Sequence, residues 1–279
     1  MDEEANSSGL RRKLLIGAAA VLLTLTLMYA RFPYDRLIPG AEAAVEQATG
    51  MSLRIGQINP WPSLLGPGLS IGPLRVDLPL GARVTLEEMR VRPAWSLSWL
   101  SGDAALALEF QDEFFDGQAL LVLGEETALA GQLVELDLAS LHPKLLAKGL
   151  AIHGFSDLDL DLVLGDSGAE GSVHLSATQG SLQHPQLPME LPFEAVIGKF
   201  QLGGESWLTV ESFEIDSPVL AGTLSGTVGP PPGSNLDLRG EFEAVQAIRA
   251  PLRNRGLQVA RDGSVSVSIQ GAASRPLLR

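Results

Sequence analysis

The sequence predicts a mainly β protein: one N-terminal transmembrane helix, then an antiparallel, curved sheet, a sandwich or a partly open barrel or groove of roughly a dozen strands. Three observations predict it. A charge-free apolar run stands near the N-terminus. Beyond residue 50, apolar residues recur at spacing two in short runs, which places them on one face of a strand. Between those runs fall many of the 30 Gly and 18 Pro residues, without any fixed period, as turn residues do.

Composition narrows the class. Hydrophobic residues make up 45% of the 279, enough for a large core, and aromatics only 5%, so that core is aliphatic. The formal net charge is −13. Asp2, Glu3 and Glu4 cancel Arg11, Arg12 and Lys13, so the whole excess lies in residues 31–279. A chain this acidic repels phosphate backbones, which argues against nucleic acid as a partner. There is no cysteine, which removes disulfides and thiolate metal sites.

The membrane segment runs from Leu14 to Ala30, with Leu14, Leu15, Ile16, Val21, Leu22, Leu23, Leu25, Leu27 and Met28 as its apolar body. As a helix it reaches roughly 25 Å, slightly short of a ~30 Å hydrocarbon core. Tyr29, Phe32 and Tyr34 suit the far interface, and Arg11, Arg12 and Lys13 flank the near side. Positive charge inside keeps the N-terminus cytoplasmic and sends residues 31–279 across. A cleaved signal peptide is the competing reading, but Met28-Tyr29-Ala30 puts a large residue where a small one belongs. An uncleaved signal anchor is expected. The division is then a polar cytoplasmic tail over 1–13, disordered over 1–10, the anchor over 14–30, a juxtamembrane helix over 31–50 and a β domain over 51–279.

Within 31–50, Leu37, Ile38, Ala41, Ala44, Val45 and Ala48 form one helix face that ends at Gly50. Met51, Leu53 and Ile55 alternate with polar residues, and Ile58 follows after Gly56. Pro60-Trp61-Pro62 and Gly66-Pro67-Gly68 read as loops, followed by strands near 70–77 and 82–92. Pro93 to Gly102 reads as a short helix whose Trp95 and Trp99 share a face, against the sheet rather than the membrane interface. Leu106, Leu108 and Phe110 alternate, and so do Leu129, Gly131 and Leu133; Leu120 to Leu123 is apolar on both faces. Residues 136–148 read as a helix or a loop around His142-Pro143. Linkers are expected near 183–192 and 229–233. Residues 245–260 read as a helix broken at Pro251 and Gly256.

One set of strands suggests a binding face. Leu158, Leu160, Leu162 and Leu164 alternate with Asp157, Asp159 and Asp161; Val173 and Leu175 alternate with Ser172, His174 and Ser176. Leu208, Val210, Leu220 and Leu224 continue the pattern, and Val265, Val267 and Ile269 close it against Ser264, Ser266 and Ser268. A one-sided apolar sheet must cover its face with something: its own other half, another protein, or lipid chains.

Other motifs carry little. Gly68-Leu69-Ser70-Ile71-Gly72 matches the nucleophile-elbow pattern, yet strand residues follow it where a helix is needed. Asp157, Asp159 and Asp161 mimic a calcium loop, but Leu162 stands where Gly belongs and Gly168 where Glu belongs. His142, His153, His174 and His184 have no partners at zinc-site spacing. No phosphate-binding glycine motif occurs. The chain is expected not to be an enzyme and to need no metal or cofactor.

Several of these features together resemble a known family: the signal anchor, Phe32-Pro33-Tyr34, the helix ending in Gly50, Val91-x-Pro93 with the Trp-Ser-Leu helix to Gly102, the unit from Gly198 to Val210, and Leu224-Ser-Gly-Thr-Val228. They resemble the type II secretion system protein N family, in its AsmA-like-related version. The resemblance implies a single-pass inner-membrane protein with a periplasmic β domain. It implies an accessory role beside other secretion-system proteins, and for AsmA-like relatives a β groove that contacts phospholipid. It transfers no catalytic residues.

Overall fold

The structure, a computed structural model, describes residues 3–49, 52–63, 66–77, 83–94, 102–140, 151–165, 168–183, 189–204, 206–230, 234–254, 257–272 and 277–278, with side chains from Ile16 onward except at 44, 48–49, 83–84 and 278. The chain opens with helix α1 (Glu3–Arg31), then a 3-10 turn (Tyr34–Leu37) and helix α2 (Ile38–Thr49). The tail expected to be disordered is helical from Glu3. The acidic residues at the start of α1 suit the positive end of its dipole, so the helix extends past the apolar run. Among the described residues no single helix is long and apolar enough to cross a membrane. Ile16–Arg31 and Tyr34–Gln47, bent by 62°, meet the length and composition requirement together.

Among the described residues sixteen strands follow and form one antiparallel sheet. They are β1 (Ser52–Ser63), β2 (Gly66–Asp77), β3 (Arg83–Leu86), β4 (Glu88–Pro93), β5 (Ala104–Gln111), β6 (Asp116–Leu123), β7 (Thr127–Asp137), β8 (Ala151–Gly165), β9 (Gly168–Gln183), β10 (Leu191–Leu202), β11 (Leu208–Asp216), β12 (Leu220–Val228), β13 (Asn235–Ala244), β14 (Gln258–Val259), β15 (Ser264–Ala272) and β16 (Leu277–Leu278). Nearly every strand pairs with its sequence neighbour, in the order β1-β2-β4 through β13-β15-β14; β3 also pairs with β2 and β16 with β15. The first and last strands do not meet, so the sheet is open. A helix α3 (Gln246–Asn254) sits between β13 and β14.

Three local readings are corrected. Pro60-Trp61-Pro62 and Gly66-Pro67-Gly68 lie within strands β1 and β2, paired through Ser63 with Gly66. Proline is tolerated in β1 because it is an edge strand whose outer side needs no ladder donor, and Pro67 of β2 precedes the Leu69–Ile71 segment that pairs with β4. Pro251 lies inside α3 instead of breaking it; it falls in the second turn of a helix whose burial of Ile248 and Leu252 offsets the lost hydrogen bond. The expected Trp95–Trp99 helix, the 141–148 stretch and parts of both linkers (184–188 and 231–233) lie outside the described residues.

The edge at β1 is covered. Glu42 of α2 accepts a hydrogen bond from the Ile55 amide at 2.8 Å and pairs with Arg54 at 3.3 Å. An edge amide that would template another strand is thereby occupied. At the other end, α3 buries Ile248 and Leu252 against Phe242, Ala244 and Val265.

Candidate functional site: one apolar face across the sheet

Strand pairing puts residues of neighbouring strands side by side on the same face. Followed strand to strand, one row reads Pro60, Leu69, Val91, Leu108, Ala119, Gly131, Leu160, Val173, Phe200, Val210, Gly226, Leu238 and Ile269. A parallel row reads Ile58, Ile71, Met89, Phe110, Gly117, Leu133, Leu158, Leu175, Gly198, Phe213, Leu224, Gly240 and Val267. No position in either row is polar. On the opposite face the row between them runs Asn59, Ser70, Arg90, Glu109, Gln118, Gln132, Asp159, His174 and Lys199, without an apolar member, while toward one end of β5 to β8 that face also carries Ala107, Leu120 and Ala130, and Ala105, Val122, Ala128 and Val163.

Three bulges keep this separation intact. They lie at Glu211–Ser212 of β11, which shifts its register with both β10 and β12, at Val134–Glu135 of β7, and where Gly154 of β8 faces Gln179 and Gly180 of β9. A one-residue slip would otherwise send a strand's apolar set to the wrong face. Each bulge lets the alternation restart on the correct side.

The glycines of the apolar face lie between large residues of adjacent strands. An added Cβ at Gly198 would sit 2.6 Å from the Phe200 ring, and one at Gly240 2.7 Å from the Phe242 ring. The aromatic side chains therefore lie down over the glycines. Such alternation of small and large residues lets a sheet curl without its inner side chains colliding.

All thirteen residues expected to line the face lie on it, but in two environments. Leu158, Leu160, Leu162, Val173 and Leu175 are half-buried and Leu164 is exposed. Val173 and Leu175 stand on β9; the stretch from β4 to β8, which carries the four leucines, makes its substantial contacts among the described residues only with neighbouring strands and with the 3-10 turn Leu138–Ser140. By contrast Val210 and Val265 are fully buried, and Leu220, Leu224 and Val267 pack against the α3 core. Leu208 and Ile269 are half-buried. A second core joins Leu138, Ala177, Phe193 and Val196, and shares Ile215 with the first.

Helix α1 meets the start of this face. The Tyr29 hydroxyl donates to the Gly68 carbonyl of β2, and the Tyr34 hydroxyl donates to the Tyr29 carbonyl at 2.8 Å. Above that junction Ile16, Val21, Leu22, Leu23, Leu25, Leu27 and Met28 are 52–69% exposed, all around the helix; the side chains of Leu14 and Leu15 lie outside the described residues. Nothing in the sequence pattern foretells the Tyr29–Gly68 contact, which joins residues 39 apart.

On the polar face beside the junction, Glu88 accepts from Arg90 at 3.0 Å and from the Ser70 hydroxyl at 2.7 Å, and the Arg90 guanidinium lies 5.1 Å from the Trp61 ring centre. The Arg90 hydrogen bond first, and then that of Ser70, hold the Glu88 carboxyl below its ordinary range. Ser70 is thus a mid-strand residue bonded to a carboxylate, with no elbow around it. Asp157, Asp159 and Asp161 lie on the polar face of β8, and Asp157 accepts the Glu135 amide at 3.0 Å. Among the described residues no three His, Asp or Glu side chains converge as metal ligands do. His153 and His174 stand on β8 and β9; His142 and His184 lie outside the described residues.

What this arrangement can do is hold an apolar chain along strands. No family model, curated protein or solved structure matches the chain. Fold and face together define it only as a mainly β protein with one open antiparallel sheet, apolar on one side.

Proposed function

We propose that this protein is a membrane-anchored module that binds lipid acyl chains along the apolar face of its sheet. The observation that carries the reading is the unbroken apolar register from β2 to β9, without a second layer over β4 to β8 among the described residues. Each methylene removed from water there contributes about 0.8 kcal/mol, so a single chain of a dozen buried methylenes is held firmly. The exposed apolar surface of α1 supports an anchor in the bilayer, and the Tyr29–Gly68 bond places the beginning of the face beside that anchor. The positive-inside pattern then orients the N-terminus to the cytoplasm and the sheet to the periplasm of a cell inner membrane.

The motifs shared with the type II secretion system protein N family support placing this module beside that apparatus as an accessory component. One preparation tests both parts. The full chain, purified from native membranes in a mild detergent, is expected to retain phospholipid, read by native mass spectrometry, and to co-purify with inner-membrane secretion proteins. Replacing Leu121, Leu160 and Leu162 with Gln should cut the retained lipid at least fivefold. Lipid content equal to that of an unrelated single-pass protein, unchanged by those substitutions, would overturn the lipid reading.

A further inference from the structure

We propose that the apolar face is blind-ended: acyl chains occupy β2 to β9, and a plug of phenylalanines closes the face from β10 onward. This rests on the lipid-binding reading above and sets where on the face the ligand stops. The two halves differ although their register is continuous. From β4 to β8 no apolar side chain of the two long rows is fully buried, and the side chains remain half open. From the Ala177 end of β9 onward, beyond the half-open Val173 and Leu175, the same face fills itself. On those two rows beyond β9 Val210 is the one apolar side chain that is fully buried, while Phe200, Phe213, Leu224, Leu238, Val267 and Ile269 are half-buried; the filling comes from the rows beside them, where Ala177, Val196, Val228, Phe242 and Val265 are buried, Val265 at 2%.

Aromatic residues over glycines produce the change. Phe200 and Phe213 face each other with ring centres 6.4 Å apart. Phe200 covers Gly198, Phe242 covers Gly240, and the Phe193 ring stands 2.3 Å from where a Gly180 Cβ would be. The space a ligand would take is therefore filled by the protein's own rings. Helix α3 then seals the end through Ile248 and Leu252. A chain entering beside α1, past the buried Ile58, meets a face that from β4 to β8 is touched, among the described residues, only by the 3-10 turn Leu138–Ser140, and a self-filled core after β9. Adjacent strands lie about 4.8 Å apart, so β2 to β9 along the pairing path gives about 29 Å. One leaflet's acyl chains occupy about 15 Å, half of a ~30 Å hydrocarbon core, so the open stretch is long enough to take an acyl chain. The occupant is thus a lipid tail held at one end of the sheet, and the sheet works as a holder of lipid rather than a conduit through which lipid passes.

The test uses the full chain reconstituted in phosphatidylethanolamine–phosphatidylglycerol vesicles that contain a phosphatidylethanolamine with a diazirine in its acyl chain. After illumination, adducts are mapped on peptides by mass spectrometry, with α1 as the internal positive control. Adducts on β4 to β9 are expected to exceed those on β10 to β15 at least tenfold. A Phe213→Ala variant should raise labelling of β11 and β12 severalfold, and the wild-type map decides the question even where that variant fails to fold. Equal labelling of both halves would overturn the plug while leaving lipid binding intact. Labelling confined to α1 would overturn lipid binding itself, and the plug with it.

Discussion

Gly171 and Gly226 show how much of this fold depends on single atoms. Each lies on the apolar face at φ +143°, and at each an added Cβ would stand 2.1 Å from the carbonyl oxygen of an aspartate on the adjacent strand, Asp161 or Asp237. The spacing-two pattern marks Gly226 as an interruption within its strand, which points to a bulge or close backbone approach; it does not single out Gly171. It does not reveal which neighbour comes close, because that is set by pairing between strands. Gly171→Ala should cost about 3 kcal/mol, combining backbone strain with overpacking. Gly165, with nothing within 4 Å of its Cβ position and no left-handed backbone angle, is the control: Gly165→Ala should stay within about 0.5 kcal/mol of wild type. Urea unfolding of both variants checks the contrast, and equal midpoints would refute it. At the same scale, the alternating aspartates and leucines of β8 were legible, since period two is a local property. The Trp61–Arg90 stacking and the Ser70–Glu88 bond were not, because they join side chains brought together only by the pairing of β1, β2 and β4.

Elements were legible where their pattern was long. The apolar body of α1, the helix face from Leu37 to Ala48 and the alternating strands from Leu106 onward all carry strong periodicity. Proline misled at both ends of the chain. In β1 it looked like a loop because its tolerance at an edge depends on which strand is an edge, which is a tertiary fact. In α3 it looked like a break because the burial that offsets it comes from β13 and β15. Helix α3 has a further anchor that no sequence pattern announces. The Arg249 guanidinium donates to the carbonyls of Ala244, Arg261 and Asp262, at 2.9, 3.3 and 2.8 Å. It ties the end of β13 to the turn before β15. Leu252, only 2% exposed, provides the larger apolar contribution. Leu252→Ala should destabilise by about 2–4 kcal/mol. Hydrogen exchange should show the loss first in the amides of β13 to β15 while β5 to β8 keep their protection. Uniform loss of protection across the sheet would mean that α3 holds the whole sheet rather than its end.

At the scale of the molecule, a sheet with one apolar side was legible, but whether it closes was not. Closure depends on the first and last strands meeting, the most non-local contact a chain can make, and no local pattern encodes it. Charge, by contrast, is legible in full and has a consequence for this shape. Residues 94–236 hold twenty Asp and Glu against three Lys and Arg, a net −17. Residues 31–93 hold seven basic against six acidic side chains, and residues 237–279 seven against four. The acidic excess is thus concentrated on β5 to β12, where the polar face carries it toward water. Like charges on one sheet face repel, and they do so most at low salt. The Debye length falls from about 30 Å at 0.01 M to about 10 Å at 0.1 M and 3 Å at 1 M, while neighbouring strands are about 4.8 Å apart. Screening should therefore reach across several strands' worth of repulsion within the first tenth molar. The urea midpoint of the purified full chain in detergent should rise between 0.01 and 0.2 M NaCl and then level off. Replacing Asp157 and Asp161 with Asn should flatten that rise, since it removes two of the clustered charges of β8. A midpoint that falls with added salt would show that ion pairs such as Arg90–Glu88 and Arg92–Glu109 outweigh the repulsion. A midpoint that climbs steadily to 1 M would assign the effect to apolar burial, which strengthens without saturating as salt is added.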